Sequence, residues 1–179
     1  MTAPLRTKEH DATAEPWRPP TAQERLSILN RSRTIAIVGA SSNRARASHF
    51  VATYLLSSST DYTVRFVNPG ETSILGHSVC PTLAQLPEAP DIVVAFRRVE
   101  ELPGVAADAV SVGARTFWAQ LGLWSDEAAA LAHGAGLSVV MNRCIKIEHA
   151  RFAGGLHLAG FDTGVISSKR PVPPVSPAR

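Results

Sequence analysis

Five short stretches of this chain hold residue types suited to binding an anionic ligand. The first, Gly39-Ala40-Ser41-Ser42-Asn43-Arg44, joins a glycine that permits a sharp turn to small residues whose backbone N–H groups can approach a phosphate. It matches G-x-G-x-x-G only in part, because Ser41 and Arg44 stand where glycines would, and a Gly-Ala-Ser turn also serves plain packing. The second, Val67-Asn68-Pro69-Gly70, carries no carboxylate. A nicotinamide dinucleotide site places Asp or Glu at such a point to hold ribose hydroxyls, so a neutral loop favours a more heavily phosphorylated nucleotide. The third, Phe96-Arg97-Arg98, sets two adjacent cations ahead of a helix as a candidate phosphate clamp. Either cation can instead pair with Glu101, four or three residues on.

The fourth stretch, Trp118-Ala119-Gln120-Leu121-Gly122, offers an indole, an amide and a flexible glycine, although core packing accounts for Trp118 equally well. The fifth, Met141-Asn142-Arg143-Cys144, is followed by Lys146, Glu148 and His149. Cys144, Glu148 and His149 contain the ingredients of a nucleophilic site. Cys144 and His149 are five apart, however, which separates them on a helix, and a structural or cofactor-contacting role is favoured. Neither Cys-x-x-Cys nor His-x-x-x-His occurs, so no metal site is expected. No catalytic machinery is legible.

The elements that must position these stretches alternate between two periods. Short apolar, β-rich runs fall at Thr34–Val38, Thr63–Val67, Asp91–Phe96, Thr116–Ala119 and Leu137–Met141, as expected of parallel strands covered on both faces. Helical patterns lie between them at Ala47–Leu56, Glu100–Val112 and Asp126–Ala135. A weaker strand at Ser78–Cys80 and a short helical turn at Thr82–Leu86 are also expected. This order predicts a Rossmann-like, doubly wound parallel sheet in a three-layer α/β/α domain. In such sheets ligands sit beyond the carboxyl ends of the strands, where all five stretches fall.

The domain is expected over residues 21–152, opened by a helix that Thr21-Ala22-Gln23-Glu24 caps. Residues 1–20, with four prolines, read as a mobile arm, and residues 153–179 as a C-terminal arm, Pro-rich from Pro171. Hydrophobic residues make up 45% of the 179 and charged residues 18%, enough apolar mass for a core and too little charge for general disorder. No apolar run approaches the roughly 20 residues a membrane span needs. The basic excess lies outside residues 34–152, which carry nine Lys/Arg against ten acids, so the folded part shows no basic face for nucleic acid. Cys80 and Cys144 make no disulfide framework, which suits a cytoplasmic setting.

Residues 22–152 resemble small single-domain CoA-binding proteins related to the nucleotide-binding domain of the succinyl-CoA synthetase α subunit. The likeness rests on Ile37-Val38-Gly39-Ala40-Ser41, Val67-Asn68-Pro69, Phe96-Arg97-Arg98, Trp118-Ala119-Gln120-Leu121-Gly122 and Val140-Met141-Asn142-Arg143-Cys144-Ile145-Lys146-Ile147-Glu148-His149. It implies that Ser41, Ser42, Asn43 and Arg44 hold the diphosphate, that Val67, Asn68 and Pro69 flank the adenine and ribose, and that Phe96 and Arg97 line the nucleotide wall. Gln120 and the loop near Cys144 would lie toward the pantetheine arm. The chain departs from the family at Arg46-Ala47, where a proline commonly follows the arginine, so a looser first loop is expected.

The reading that follows is a non-catalytic or regulatory module that binds coenzyme A or an acyl-CoA through its adenosine phosphates. One alternative is an oxidoreductase using NAD(P), with Arg44 or Arg46 on the 2′-phosphate. Another is an interaction subunit with a vestigial nucleotide cleft, docking a protein partner or a second copy through its arms.

Overall fold

The computed structural model describes residues 16–57 and 61–153. Its framework starts from Thr-Ile-Ala-Ile-Val, a β-branched run that forms strand β1 (Thr34–Val38). Alternation splits that strand between two cores: Ile35 and Ile37 face one helical layer, while Ala36 and Val38 face the other. The remaining elements, in chain order around β1, are α1 (Ala22–Arg31), α2 (Ala47–Ser57), β2 (Thr63–Val67), β3 (Ser73–Ile74), β4 (His77–Cys80), β5 (Ile92–Ala95), α3 (Leu102–Ser111), β6 (Thr116–Ala119), α4 (Asp126–Gly134), β7 (Ser138–Val140) and α5 (Ile145–Ala153). Single 3₁₀ turns at Leu83–Gln85 and Val99–Glu101 precede β5 and α3. Among the described residues no helix is long and apolar enough to cross a membrane.

The sheet order is β3-β4-β2-β1-β5-β6-β7, parallel throughout except for β3 against β4. Helices α1, α2 and α5 cover one face and α3 and α4 the other, which completes the expected α/β/α sandwich. One buried row crosses five strands: Phe66, Ile37, Val94, Trp118 and Val140 lie in register and share a core. The next row, Val67, Val38, Ala95 and Ala119, ends its strands at one level. Asn68, Gly39, Phe96 and Gln120 therefore leave the sheet side by side. Hydrogen bonds carry the ladder one step further, from Gly39 N to Val67 O (2.9 Å) and from Phe96 N to Val38 O (2.8 Å).

Three features depart from expectation. Helix α5 was not foreseen, because its buried face includes Glu148, a residue type that reads as surface. Glu148 is 3% exposed and is met at 2.7 Å by Arg25 Nε from α1, itself 5% exposed, so the charge is paired where it is buried. The hairpin strand β3 is only two residues long, too short for any periodicity. The described part of the N-terminal arm, residues 16–20, lies against the domain. Trp17 Nε1 donates to Val139 O of the edge strand at 3.3 Å, its ring packs 5.4 Å from that of Trp124, and Arg18 makes a bidentate pair with Glu24. Readings placed on residues 1–15 and 154–179, including the Pro-rich stretch, lie outside the described residues.

The cap at Thr21 forms as predicted: Thr21 Oγ1 accepts from Glu24 N at 3.3 Å, and the Glu24 carboxylate accepts from Thr21 N at 2.7 Å. Arg18 first and Thr21 second hold the Glu24 carboxyl at about 2.

Candidate functional site

Strand order reverses between β1 and β5. The chain leaves β1 toward α2 on one face of the sheet and leaves β5 toward α3 on the other, and the crevice between the diverging loops is where open α/β sheets take ligands. Here a cleft of about 390 Å³ is lined by Gly39, Ser41, Asn68, Phe96 and Arg97, all singled out above, by Arg46, named above only for the 2′-phosphate of the NAD(P) alternative, and by Ala47 and Ser48. Gly39 is what lets the two loops meet. A Cβ at that position would stand 2.3 Å from Phe96 O and 3.3 Å from Arg97 Cδ, and φ is +81°, a conformation that side chains disfavour.

The first loop is fastened by its own side chains. Asn43 Oδ1 accepts from Ala45 N at 2.9 Å and Asn43 O from Arg46 N at 3.0 Å, closing the turn that leads into α2. The looseness expected from the missing proline is thereby offset. Asn68 ties the second loop to the first, with Nδ2 donating to Ala40 O at 2.7 Å and Oδ1 accepting from Gly70 N at 2.9 Å. Val67 and Ala40 are buried, at 3% and 0% exposure, so their side chains belong to the core.

The two adjacent arginines divide their work. Arg98 is exposed and donates from Nε to Glu101 Oε2 at 3.2 Å, the pairing weighed above. Arg97 turns into the cleft beside Arg46, and neither guanidinium makes a hydrogen bond or ion pair among the described residues. Arg44, placed in the diphosphate group from sequence, is exposed and does not line the cleft. Arg46 faces it instead because the Asn43 turn aims the start of α2 there.

The neutrality of the second loop needs correction. Glu71, four residues beyond β2, swings back through the Pro69-Gly70 turn and places Oε1 against the first loop, accepting from Ser42 N at 2.9 Å, Ser42 Oγ at 3.1 Å and Ser41 Oγ at 3.2 Å. The Ser42 backbone bond first, then the serine hydroxyls, hold its carboxyl below the usual range. A carboxylate does reach this crevice; the signal for it was the reversing Pro-Gly pair just before an acid.

The remaining candidates form a second group along the β6 and β7 rim, and none of them lines the cleft. Trp118 is fully buried and its indole donates to Arg143 O at 2.7 Å, so it braces the rim and offers no surface to a ligand. Gln120 Oε1 accepts from Ile145 N at 3.3 Å, Gly122 N donates to Asn142 Oδ1 at 2.7 Å, and Asn142 N donates to Leu123 O at 3.0 Å. Cys144, half-buried, heads α5, with its carbonyl accepting from Glu148 N at 3.0 Å. The trio of Cys144, Glu148 and His149 is not assembled. Glu148 turns to Arg25, and His149 Nδ1 meets Tyr54 OH at 2.9 Å, where burial pushes the imidazole pKa down.

A larger groove, about 470 Å³, lies between α1, residues 16–20 and the start of β7. It sits beside an edge strand, away from the carboxyl ends, and its arginines are engaged: Arg18 with Glu24 and Arg31 with Ser138 Oγ at 2.7 Å. Size alone does not make it the site. The smaller cleft has the switch-point position, the glycine floor and the unpaired cations.

A family model described as a CoA binding domain matches residues 33–150. A protein of Bacillus subtilis (strain 168), named uncharacterized protein YneT, is 39% identical over 131 residues, covering 73% of this chain and 96% of that one. A solved hypothetical protein from Pyrococcus horikoshii OT3 superposes with a TM-score of 0.71 at 34% identity, covering 78% of this chain and 99% of its own. A dinucleotide-forming acetyl-coenzyme A synthetase 1 from Ca. Korarchaeum cryptofilum aligns with a TM-score of 0.55 at 26% identity, over 65% of this chain and 26% of that larger protein.

Proposed function

Since this chain belongs to the family of CoA-binding domains, we propose that its β1–β5 cleft binds coenzyme A, free or acylated, as a non-catalytic or regulatory module of the cytoplasm. The observation that carries the reading is the convergence of Arg46 and Arg97, whose guanidinium groups have no hydrogen-bond or ion-pair partner among the described residues, on a cleft floored by Gly39. Guanidinium groups match the geometry of phosphate oxygens, and coenzyme A brings three phosphates on its adenosine end.

Coenzyme A would supply a thiol that carries acyl groups; the chain's own part is to bind and orient it. Arg46 and Arg97 would take the phosphates, with Ser41, Ser42 and the Asn43 turn beside them. Asn68 and Pro69 would border the adenosine, and Phe96 would give the wall between the loops. The shared level of Phe96 and Gln120 gives the pantetheine arm a course across the strand ends toward Gln120, Gly122, Asn142 and Cys144. Gln120 Nε2 is buried and has no hydrogen-bond partner among the described residues, the kind of donor that an amide carbonyl of the arm would complete.

Calorimetric titration with CoA and with NADPH, on the wild type and on Arg97→Ala, tests the reading. CoA is expected to bind and NADPH not to bind, and Arg97→Ala should weaken CoA roughly 10- to 100-fold, the scale of a charged hydrogen-bond pair. Binding of NADPH without CoA would replace this reading with the oxidoreductase.

A further inference from the structure

Glu71 occupies the donors that the CoA reading gives to a phosphate. Its Oε1 collects one backbone N–H and two hydroxyls from Ser41 and Ser42, while it makes no ion pair with Arg46 or Arg97. The carboxylate is held there by a short tether: Glu71 N donates to Asn68 O at 3.3 Å, and Asn68 is itself bonded to Ala40 O. A phosphate oxygen and this carboxylate oxygen seek the same hydrogens and repel each other, so the two anions exclude one another.

We propose that Glu71 sets the affinity of this cleft for anions, as an internal anion that any phosphate-bearing ligand must displace from the Ser41 and Ser42 donors. The inference rests on the CoA reading of this cleft. Displacement costs the same for every ligand that uses those donors, so it lowers all their affinities by one common factor. Free phosphate or pyrophosphate, which has only the arginines to hold it, is driven off. A ligand that also engages Arg46, Arg97 and the Asn68–Pro69 turn retains useful affinity. Glu71 thus keeps small anions out of a cleft whose two unpaired arginines would otherwise collect them.

Glu71→Gln keeps the acceptor oxygen and the size while removing the charge. Wild type and variant are titrated with CoA, inorganic pyrophosphate and adenosine at one ionic strength. The variant is expected to bind CoA and pyrophosphate about ten-fold tighter, by the same factor for both, with adenosine unchanged. Glu71→Ala should behave likewise. If the wild type binds CoA and Glu71→Gln binds it equally or more weakly, the displacement role is wrong and the CoA reading stands. If neither protein binds CoA, that reading falls, and pyrophosphate decides the role of Glu71 by itself: tighter binding by the variant upholds it and unchanged binding overturns it.

Discussion

The two halves of the sheet's carboxyl rim are built on opposite plans. At the β6–β7 side, loop groups answer one another: indole to carbonyl, amide to N–H, N–H to amide, across residues 118–145. At the β1–β5 side, two guanidinium groups stand without hydrogen-bond or ion-pair partners among the described residues, and the loops meet only because one residue has no side chain. Apart from Gln120 Nε2, the first half is satisfied within itself among the described residues; the second is left to be completed from outside. Both halves drew candidates from the sequence, since amides, cations and glycines occur in each, and hydrogen bonding is what separates bracing from binding.

Three substitutions probe this contrast, beginning with the greatest effect. Gly39→Ala forces a Cβ onto Phe96 O and keeps φ at +81°, and should cost about 3 kcal/mol or more, read as a fall in denaturant midpoint. A variant that unfolds like wild type would show that the close approach of the loops is dispensable. Trp118→Phe removes the indole N–H and strands the buried Arg143 carbonyl, for about 2 kcal/mol. CoA affinity of the folded protein should hardly change; a large loss with intact stability would make Trp118 a binding residue after all.

The smallest effect is expected at the opposite end of the strands, where Asp91 accepts from Arg33 N (2.7 Å), Thr34 N (3.1 Å) and Thr34 Oγ1 (3.3 Å) and pairs with Arg115 at 3.4 Å. Burial resists its ionisation, but these donors and Arg115 outweigh that and hold the carboxyl below its ordinary 3.8. The unfolded chain therefore takes up the proton first, and the contribution present above that value is lost as pH falls through and below it. Asp91→Asn should cost about 1 kcal/mol at neutral pH and flatten the acid side of the stability profile, with ligand binding untouched. An unaltered acid limb would remove Asp91 from the account.

Strands β1, β2 and β6 were legible to the residue: β1 and β6 are short apolar runs buried almost throughout, and β2 alternates exposed Thr63 and half-buried Arg65 with buried Val64 and Phe66. Helix α5 escaped because burial of Glu148 depends on Arg25, 123 residues away, and no local pattern carries such a pairing. Trp17 in a polar arm was the available sign that residues 16–20 would dock. In the cleft, Gly39, Ser41, Asn68, Phe96 and Arg97 follow directly from strand ends, so reading the strands located them. Arg46 and Glu71 depend on how two loops fold back, by the Asn43 turn and the Pro69-Gly70 reversal, and the direction of a returning loop is a tertiary property.

The match to the family model begins at residue 33, yet the physical unit begins earlier. Arg25 neutralises Glu148 in the interior, and Ile28 and Leu29 of the same helix are buried with it. A fragment trimmed to residues 33–150 would lose the Arg25–Glu148 pair and uncover the apolar surface on which Ile28 and Leu29 are buried. The family model's limits mark one stretch of the chain, and a boundary taken from them would sever this helix from the body that it completes.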